Sequence, residues 1–270
     1  MTASESEPAP LRDASTVVLV RDGADGIEVF LQRRVRQMAF AGGVTVFPGG
    51  GVDPRDADAD IAWAGPDAQW WADRFHTDPK SAQALVCAAV RETFEECGVL
   101  LAAADDGEFP QPQAFAVQRG QLVDKSLSFG EFLRAQGLTL RADLLAPLAN
   151  WITPIIEKRR YDTRFFLAAM PEGQSADGET TEAEVAGWVG AQAALDSWVA
   201  GDHILLPPTW AQLRHLAGFA TVGELLAEPH VVEPIEPSIT PGAGIAGLKF
   251  PQSDLYFAVA ADREVPGLSR

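Results

Sequence analysis

Apolar positions in the first fifty residues form short blocks separated by turn-forming residues. Two β-rich blocks, residues 15–20 and 27–32, flank a segment of Arg, Asp, Gly and Ala at 21–26, and this arrangement predicts a β-hairpin. A third block at 44–47 leads into a proline and three glycines at 48–51, where strand propensity stops and backbone freedom becomes high. We therefore expect a third strand that ends in an open loop.

The clearest helical pattern covers residues 81–97, and a glycine, Gly98, stands where a C-terminal cap belongs. Both cysteines of the chain, Cys87 and Cys97, fall in this segment, ten positions apart. Their side chains cannot meet along one helix, so we expect reduced thiols rather than a disulfide. The apolar face of the helix consists of Leu85, Val86, Ala89, Val90, Thr93, Phe94 and Cys97.

Weaker patterns cover the rest of the chain. Helices are predicted at residues 130–134, 141–146 and 209–217, and strands at 164–170 and 185–189. Residues 57–83 carry three tryptophans among acidic and small residues. We interpret this segment as an insertion with a short helix and as a candidate lid over a substrate. Mixed strands and few helices favour an α/β or α+β single domain with appendages.

The two ends of the chain differ in composition from its middle. Residues 1–13 are acidic and small, which predicts a disordered arm, and we place the main domain at residues 14–226. From residue 227 the chain is proline-rich, which indicates an extended linker rather than a packed element. One short strand is predicted in the tail, at residues 255–259. The predicted organisation is therefore an arm, a domain with an insertion, and a linker and tail at 227–270.

Composition restricts the partners that the protein can have. The 270 residues carry a formal net charge of −17, so a nucleic acid would be repelled over most of the surface and is not expected as a partner. The sequence shows no apolar run of about 18 residues and no signal-peptide pattern, so we expect no membrane span and a cytoplasmic location. An anionic small-molecule substrate would need local positive charge, for which bound divalent cations are the most direct source. The quaternary state stays open, with a homodimer among the alternatives.

Three glutamates in the predicted helix form the strongest chemical signal. Glu92, Glu95 and Glu96 stand at i, i+3 and i+4, so their carboxylates lie side by side at the edge of the apolar face. Grouped and partly desolvated carboxylates are unfavourable unless a cation shares them, and the hard cations Mg²⁺ and Mn²⁺ prefer oxygen ligands. The alternative is an ordinary solvated helix face rich in Glu. Arg91, which can pair with Glu95 one turn further on, favours the metal site.

These residues resemble the Nudix box, G-x5-E-x7-R-E-U-x-E-E-x-G-U, where U is aliphatic. Counting from Gly50, Asp56 takes the place of the first Glu, and 34 residues rather than seven separate it from Arg91. Such an interrupted box, together with residues 151–154, 160–166, 184–188 and 206–209, is similar to the branch of peroxisomal coenzyme A diphosphatases. The second half of the box is matched by Arg91, Glu92, Glu95, Glu96, Gly98 and Val99.

The resemblance implies a Nudix αβα sandwich around a mixed β-sheet and metal-dependent hydrolysis of a diphosphate linkage. Mg²⁺ or Mn²⁺ would be the cofactor and would offset the charge of the diphosphate. Glu95 and Glu96 would be catalytic, and Arg91 would orient the glutamates. The metal ligands implied by the resemblance are Glu92, Glu95, Glu96 and the backbone carbonyl of Gly50.

Further roles follow from the resemblance. An acid from a second loop assists many members of this family, and Glu182 and Glu184 are the candidates for a general base, although solvated loop acids are an equally good interpretation. Arg34 and Arg160 are candidates for substrate binding, because Arg offers bidentate geometry to phosphates. Phe47 is a third candidate for substrate binding. The implied substrate is coenzyme A or acyl-coenzyme A. The alternatives are a dinucleotide or nucleotide sugar as the substrate, and a ligand-binding regulator of the same fold without turnover.

The histidines of the chain give no sequence-level support for zinc chemistry. They are scattered, and the sequence contains neither an H-E-x-x-H nor a G-x-S-x-G motif. Zinc-enzyme and serine-hydrolase interpretations therefore lack support. The four histidines are His76, His203, His215 and His230.

Overall fold

The structure is a computed structural model, and it describes residues 8–35, 43–57, 60–104, 107–180, 183–240 and 247–260. Within these ranges no helix is both long enough and apolar enough to cross a membrane. The strands are β1 (Leu11–Gly23), β2 (Gly26–Arg34), β3 (Thr45–Val46), β4 (Gly49–Gly51), β5 (Trp63–Ala64), β6 (Ala102–Ala104), β7 (Leu138–Arg141), β8 (Leu145–Ile152), β9 (Arg160–Ala169), β10 (Ala183–Gly190), β11 (Pro234–Ile235), β12 (Ser238–Ile239) and β13 (Leu248–Lys249). The helices are α1 (Ala68–Phe75), α2 (Pro79–Cys97), α3 (Ala116–Val123), α4 (Phe129–Gln136), α5 (Ala191–Ala200), α6 (Pro207–Leu216), α7 (Val222–Ala227) and α8 (Ser253–Ala260).

The main sheet is mixed and has the strand order β10-β2-β1-β9-β8-β11. Strand β1 is antiparallel to β2 and parallel to β9, and β1 and β2 form the predicted hairpin, closed at Gly23 and Gly26. The short strand β3 pairs with β2. The expectation of an open glycine loop is wrong, because residues 49–51 form β4 and pair with residues 14–16 of β1. The glycines are therefore held at a fixed place beside the sheet.

Side chains of β1 alternate between two apolar layers, as the period of a strand requires. Val17 and Leu19 pack into a core that contains residues of α1, α2 and α4. Val18 and Val20 point into a second core, built with residues of α5, α6, α7 and α8. Helices thus cover both faces of a mixed sheet. The structure confirms the predicted αβα sandwich.

The long helix α2 begins and ends where the sequence indicates. The side chain of Asp78 accepts hydrogen bonds from the backbone N–H groups of Lys80 and Ser81, and Pro79 occupies the first turn. Gly98 ends the helix in the left-handed conformation, at a φ of 67°. The predicted helices at 130–134 and 209–217 are confirmed as parts of α4 and α6, and the predicted strands at 164–170 and 185–189 as parts of β9 and β10. The predicted helix at 141–146 is wrong, because a 3₁₀ turn at Ala142–Leu144 leads directly into β8.

The tryptophan-bearing segment contributes to the core rather than to a lid. Helix α1 forms there as predicted, and its side chains Trp71 and Phe75 are fully buried. Their ring centroids lie 5.4 and 5.0 Å from that of Phe166 in β9. Large aromatic rings packed on the sheet in this way stabilise the fold. The interpretation of the insertion as a lid is therefore corrected.

The C-terminal segment packs against the domain where it is described. Residues 234–235 extend the main sheet by pairing with β8. Tyr256 is fully buried and donates its hydroxyl hydrogen to the backbone carbonyl of Leu205 at 2.8 Å. Residues 255–259 lie in helix α8, so the predicted strand is wrong.

The predicted disordered arm at residues 1–13 is also corrected in part. Residues 11–13 open strand β1 and pair with residues 160–162 of β9, whereas residues 1–7 lie outside the described residues. The domain limits themselves stay predictions.

Candidate active site

The C-terminal half of α2 carries three acids to the edge of the core. The helix buries the apolar face below them, and the side chains of Glu92 and Glu95 are only 12% and 13% exposed. Glu96 is buried as well. Because one helical turn separates these positions, their carboxylates occupy one region with little access to water. The alternative of a solvated helix face is therefore excluded.

Arg91 pairs with two of these acids, Glu92 and Glu95, and with Asp56. Its Nη1 donates to Oε1 of Glu92 at 2.7 Å and to Oε1 of Glu95 at 3.2 Å, which confirms the predicted i,i+4 pair. Its Nε and Nη2 donate to the two carboxylate oxygens of Asp56 at 3.0 and 2.8 Å, and Nη2 also donates to the Gly51 carbonyl at 3.0 Å. We call Arg91, Asp56, Glu92 and Glu95 the Arg91 cluster. Burial alone would lower the pKa of Arg91, but the surrounding acids raise it, so the guanidinium stays charged.

Asp56, at the first-glutamate position of the interrupted box, bonds the arginine. Its side chain is buried, and besides Arg91 it accepts a hydrogen bond from the Asp53 backbone N–H at 2.8 Å. The bidentate pair fixes the plane of the guanidinium and leaves Nη1 for Glu92 and Glu95. The substitution of Asp for Glu therefore gives a positioning residue that acts through Arg91.

Glu96 is oriented by two donors from the sheet. Its Oε2 accepts hydrogen bonds from the Gln32 side chain at 2.6 Å and from the Gly49 backbone N–H at 2.8 Å. Gln32 lies in β2 and Gly49 in β4, so the carboxylate is held where the helix meets the glycine segment. Donors that bond the ionised form of a carboxylate keep it charged and fixed in direction.

Gly50 lies directly against Glu92. A Cβ atom added at Gly50 would lie 2.6 Å from Oε1 of Glu92, so no larger residue fits without moving the carboxylate. This close approach brings the backbone of β4 beside the acids. Burial, opposed by Arg91 and assisted by Glu95, raises the pKa of Glu92 to about 7, and burial also raises the pKa of Glu95. The anionic forms are therefore costly in the protein alone.

These residues fit a hard divalent cation. The ligand atoms available along this edge are oxygens, on three carboxylates and on the backbone of the glycine segment, and oxygen ligands suit Mg²⁺ or Mn²⁺ rather than softer ions. A cation would remove the penalty that raises the pKa of Glu92 and Glu95. The residues that could hold it are Glu92, Glu95, Glu96 and Gly50.

A cleft of about 640 Å³ opens over the acids. Acids and glycines form one side of it, and aromatic rings from β8 and β9, including Trp151, Tyr161 and Phe165, form another. Arg12, Arg34 and Lys125 add positive charge. The structure places these predicted residues in the lining: Arg34, Phe47, Gly50, Arg91, Glu92, Glu95 and Glu96.

Two predicted site residues do not line the cleft. Glu184 lies on β10 with a carboxylate oxygen 3.7 Å from Nε of Arg33, and Arg160 donates to Glu236 at 2.6 Å and to the Thr153 carbonyl at 3.1 Å. A direct role of either residue in the reaction stays a prediction. The other general-base candidate, Glu182, falls outside the described residues.

Sequence reasoning missed three residues at this site. Gln32 contacts Glu96 across 64 positions, a separation that no local pattern signals. Lys125 lines the cleft from a backbone with a positive φ of 63°. Burial raises the pKa of Glu95, and the charge of Lys125 partly opposes that rise. Glu157 also lines the cleft, and burial raises its pKa.

Comparison with known proteins agrees with this geometry. The solved structure of a NUDIX hydrolase from Alicyclobacillus acidocaldarius is similar to this chain with a TM-score of 0.67 and 30% identity, over 83% of this chain and 98% of that one. The fold is therefore that of a Nudix hydrolase, and the glutamates of the Nudix box line the cleft. The family model described as "NUDT19 Nudix domain" matches residues 72–216, which is more than half of the chain. The chain belongs to the NUDT19 Nudix domain family.

Curated relatives carry a more specific name. The acyl-coenzyme A diphosphatase NUDT19 of Homo sapiens is 27% identical over 241 residues, which cover 75% of this chain and 64% of the relative. The protein of the same name from Gallus gallus is 28% identical over 240 residues, covering 73% and 62%. The match spans less than two thirds of either relative. The recognition of a Nudix hydrolase that resembles coenzyme A diphosphatases is thereby confirmed.

Proposed function

We propose that this protein hydrolyses the diphosphate linkage of coenzyme A or an acyl-coenzyme A with Mg²⁺ or Mn²⁺. The observation that carries the proposal is that Arg91, Glu92, Glu95 and Glu96 line the cleft, with Arg91 hydrogen-bonded to Glu92 and Glu95. An uncompensated group of buried acids is unfavourable unless a ligand offsets its charge. The names of the curated relatives support coenzyme A as the substrate class.

The residues of the chain divide the work at this site. Glu92, Glu95, Glu96 and the Gly50 carbonyl would hold the cation, which when bound offsets the charge of the diphosphate and acidifies water. Arg91 keeps Glu92 and Glu95 side by side, and Asp56 keeps Arg91 in plane. The Gln32 amide and the Gly49 N–H hold one oxygen of Glu96. These contacts preorganise the acids, so that little rearrangement is needed when the substrate binds.

The far side of the cleft suits the rest of such a substrate. Trp151, Phe165 and Phe47 offer planar and apolar surface for a base or an acyl chain, and Arg34 and Lys125 offer charge for phosphates. Arg160 bonds the carbonyl of Thr153, which lines the cleft, and we propose that it acts on the substrate side through that contact.

A substrate panel tests the proposal. Coenzyme A, an acyl-coenzyme A, a dinucleotide and a nucleotide sugar are each incubated with Mg²⁺ and with Mn²⁺, and the products are identified by mass. Water adds across the P–O–P linkage, so coenzyme A must yield 3′,5′-ADP and 4′-phosphopantetheine. The Glu95→Gln variant, purified in the same way, is the control for activity that comes from contaminating enzymes.

The outcomes separate the alternatives. Turnover of the dinucleotide or nucleotide sugar but not of coenzyme A would overturn the substrate class and retain the chemistry. No turnover of any diphosphate, with tight binding of one of them, would overturn the enzyme and favour a ligand-binding regulator. The retention of all three glutamates supports turnover.

A further inference from the structure

Three side chains that are scattered in the sequence meet at the far end of helix α6. His215 lies in the last turn of α6, Glu228 follows α7, and His230 is two positions further on. The other end of α6, at Pro207 and Pro208, lines the cleft. At about 1.5 Å per residue, seven or eight residues place this group roughly 10–12 Å along the helix axis from the cleft. We call His215, Glu228 and His230 the His215 cluster.

The ligand atoms of the His215 cluster converge. One atom from each of the three side chains lies within 4.8 Å of the other two. Nε2 of His215 approaches Oε2 of Glu228 at 3.2 Å, and this oxygen is shielded from solvent without a hydrogen-bond partner. Nε2 of His230 is likewise shielded and without a hydrogen-bond partner. Buried polar atoms that lack a partner are rare, and an ion is one of the standard explanations.

The imidazole of His230 lies beside that of His215, with ring centroids 6.1 Å apart. A neutral imidazole has one nitrogen with a free lone pair, which can bind a metal while the other nitrogen donates a hydrogen bond. The ring of His215 is packed against Phe219, with centroids 5.2 Å apart.

We propose that the His215 cluster binds a zinc-class divalent ion through His215, Glu228 and His230. Two imidazoles and one carboxylate are borderline ligands that suit Zn²⁺, whereas Mg²⁺ and Ca²⁺ prefer sets made only of oxygen. Ligand atoms of tetrahedral zinc are about 3.3–3.5 Å apart, given Zn–N distances of about 2.0–2.1 Å. The ligand atoms, now within 4.8 Å of one another, would need to move by about 1 Å to reach that separation. Water completes the coordination.

The ion ties the C-terminal segment to the domain. Glu228 and His230 precede residues 234–235, which pair with β8, and Pro237 and Leu248, which line the cleft. A contact between His76 and the Val232 carbonyl at 2.9 Å holds the same stretch from α1. A ligand that binds only the folded arrangement stabilises it by mass action. A bound ion would therefore stabilise the position of the C-terminal segment, and the site is independent of the acids in the cleft.

Zinc titration of the full chain tests the site. The protein is freed of metal with a chelator, saturated with Mg²⁺ to occupy the acidic site, and titrated with Zn²⁺ against a chromogenic chelator. We expect one Zn²⁺ per chain, and an affinity reduced at least about tenfold in His215→Gln and in Glu228→Gln. Zn²⁺ raises the melting temperature of the parent and not that of these variants. With Co²⁺, the parent gives the visible absorption of a tetrahedral ion, and His230→Gln loses it.

Two control variants locate the ion. His203→Gln, a histidine outside the cluster, and Glu95→Gln, in the cleft, both retain one Zn²⁺ with unchanged affinity. Zinc binding that is lost in Glu95→Gln but kept in His215→Gln and Glu228→Gln would overturn the site, as would no binding by the parent at micromolar zinc. Circular dichroism of the zinc-free variants shows whether each is folded, and His215→Gln, with a side chain 36% exposed in the parent, is the variant least expected to disturb folding.

Discussion

Two arginines of this protein, Arg91 and Arg164, each form ion pairs with more acids than one positive charge can balance. We propose a metal site at only one of these two groups. Arg164 pairs with Asp162 at 2.7 Å and Asp13 at 3.0 Å, and we call these three residues the Arg164 cluster. Asp13 is 48% exposed, and Asp162 accepts a further hydrogen bond from Asn150 at 2.7 Å. Water around Asp13 and the amide hydrogen bond to Asp162 therefore stabilise the excess negative charge.

All three acids of the Arg91 cluster are largely shielded from water. Asp56 is 2% exposed as a side chain, and Glu92 and Glu95 are almost as well covered. One guanidinium against three buried acids leaves an excess of two negative charges, with Glu96 beside them. The number of acids around an arginine therefore indicates a metal site poorly. The burial of those acids is the better indicator.

Removing each arginine gives the largest contrast. Arg91→Met leaves three buried acids uncompensated and should lower the free energy of unfolding by about 3–5 kcal/mol. Arg164→Met should cost only about 1–2 kcal/mol, because Asp13 can turn to water. Urea unfolding in metal-free buffer measures both variants. Equal losses would show that burial does not distinguish the two clusters.

Changing the charge of the acids tests the chemistry. Glu95→Gln and Glu96→Gln should each lower kcat at least about a hundredfold, because each removes an oxygen ligand of the ion that we propose offsets the diphosphate charge. Neither variant should unfold at a markedly lower temperature than the parent in metal-free buffer. Steady-state kinetics with saturating Mg²⁺ measures the effect. Activity within a few-fold of the parent in both variants would contradict the assignment of the site.

Metal removal separates repulsion from binding. Without divalent ions, Glu92→Gln should unfold at a higher temperature than the parent, since it removes one of the mutually repelling buried charges. With Mg²⁺ at about a hundred times its Kd, the parent should gain about 2.7 kcal/mol and the variant clearly less. Calorimetry with and without Mg²⁺ measures both shifts. If the parent and Glu92→Gln gain equally, the ion binds elsewhere.

The smallest effect is expected in the Arg164 cluster. Asp162→Asn keeps an oxygen for the Asn150 amide and leaves Arg164 paired with Asp13, so the free energy of unfolding should change by about 1 kcal/mol. Its kcat should stay within about threefold of the parent, a change of less than 1 kcal/mol in the barrier. A loss of activity as large as that of Glu95→Gln would place this cluster in the reaction.

Local rules were sufficient for part of the fold. The limits of α2 follow from Asp78, Pro79 and Gly98, and the β1–β2 hairpin from a turn-rich segment between apolar blocks. Short apolar runs were less informative. Residues 255–259 fit a strand as well as a helix in sequence, and the packing of Tyr256 against Trp198 and Trp210 accompanies the helix.

The sequence by itself determined that three acids share one face of a capped helix, because helical spacing is a local property of the chain. Tertiary structure alone decided what surrounds them: Asp56 reaches Arg91 across 35 positions, and Gln32 reaches Glu96 across 64. It also brought His215 and His230 together beside Glu228. Contacts between segments distant in sequence depend on how the sheet and helices pack, and no periodicity in the sequence records that packing.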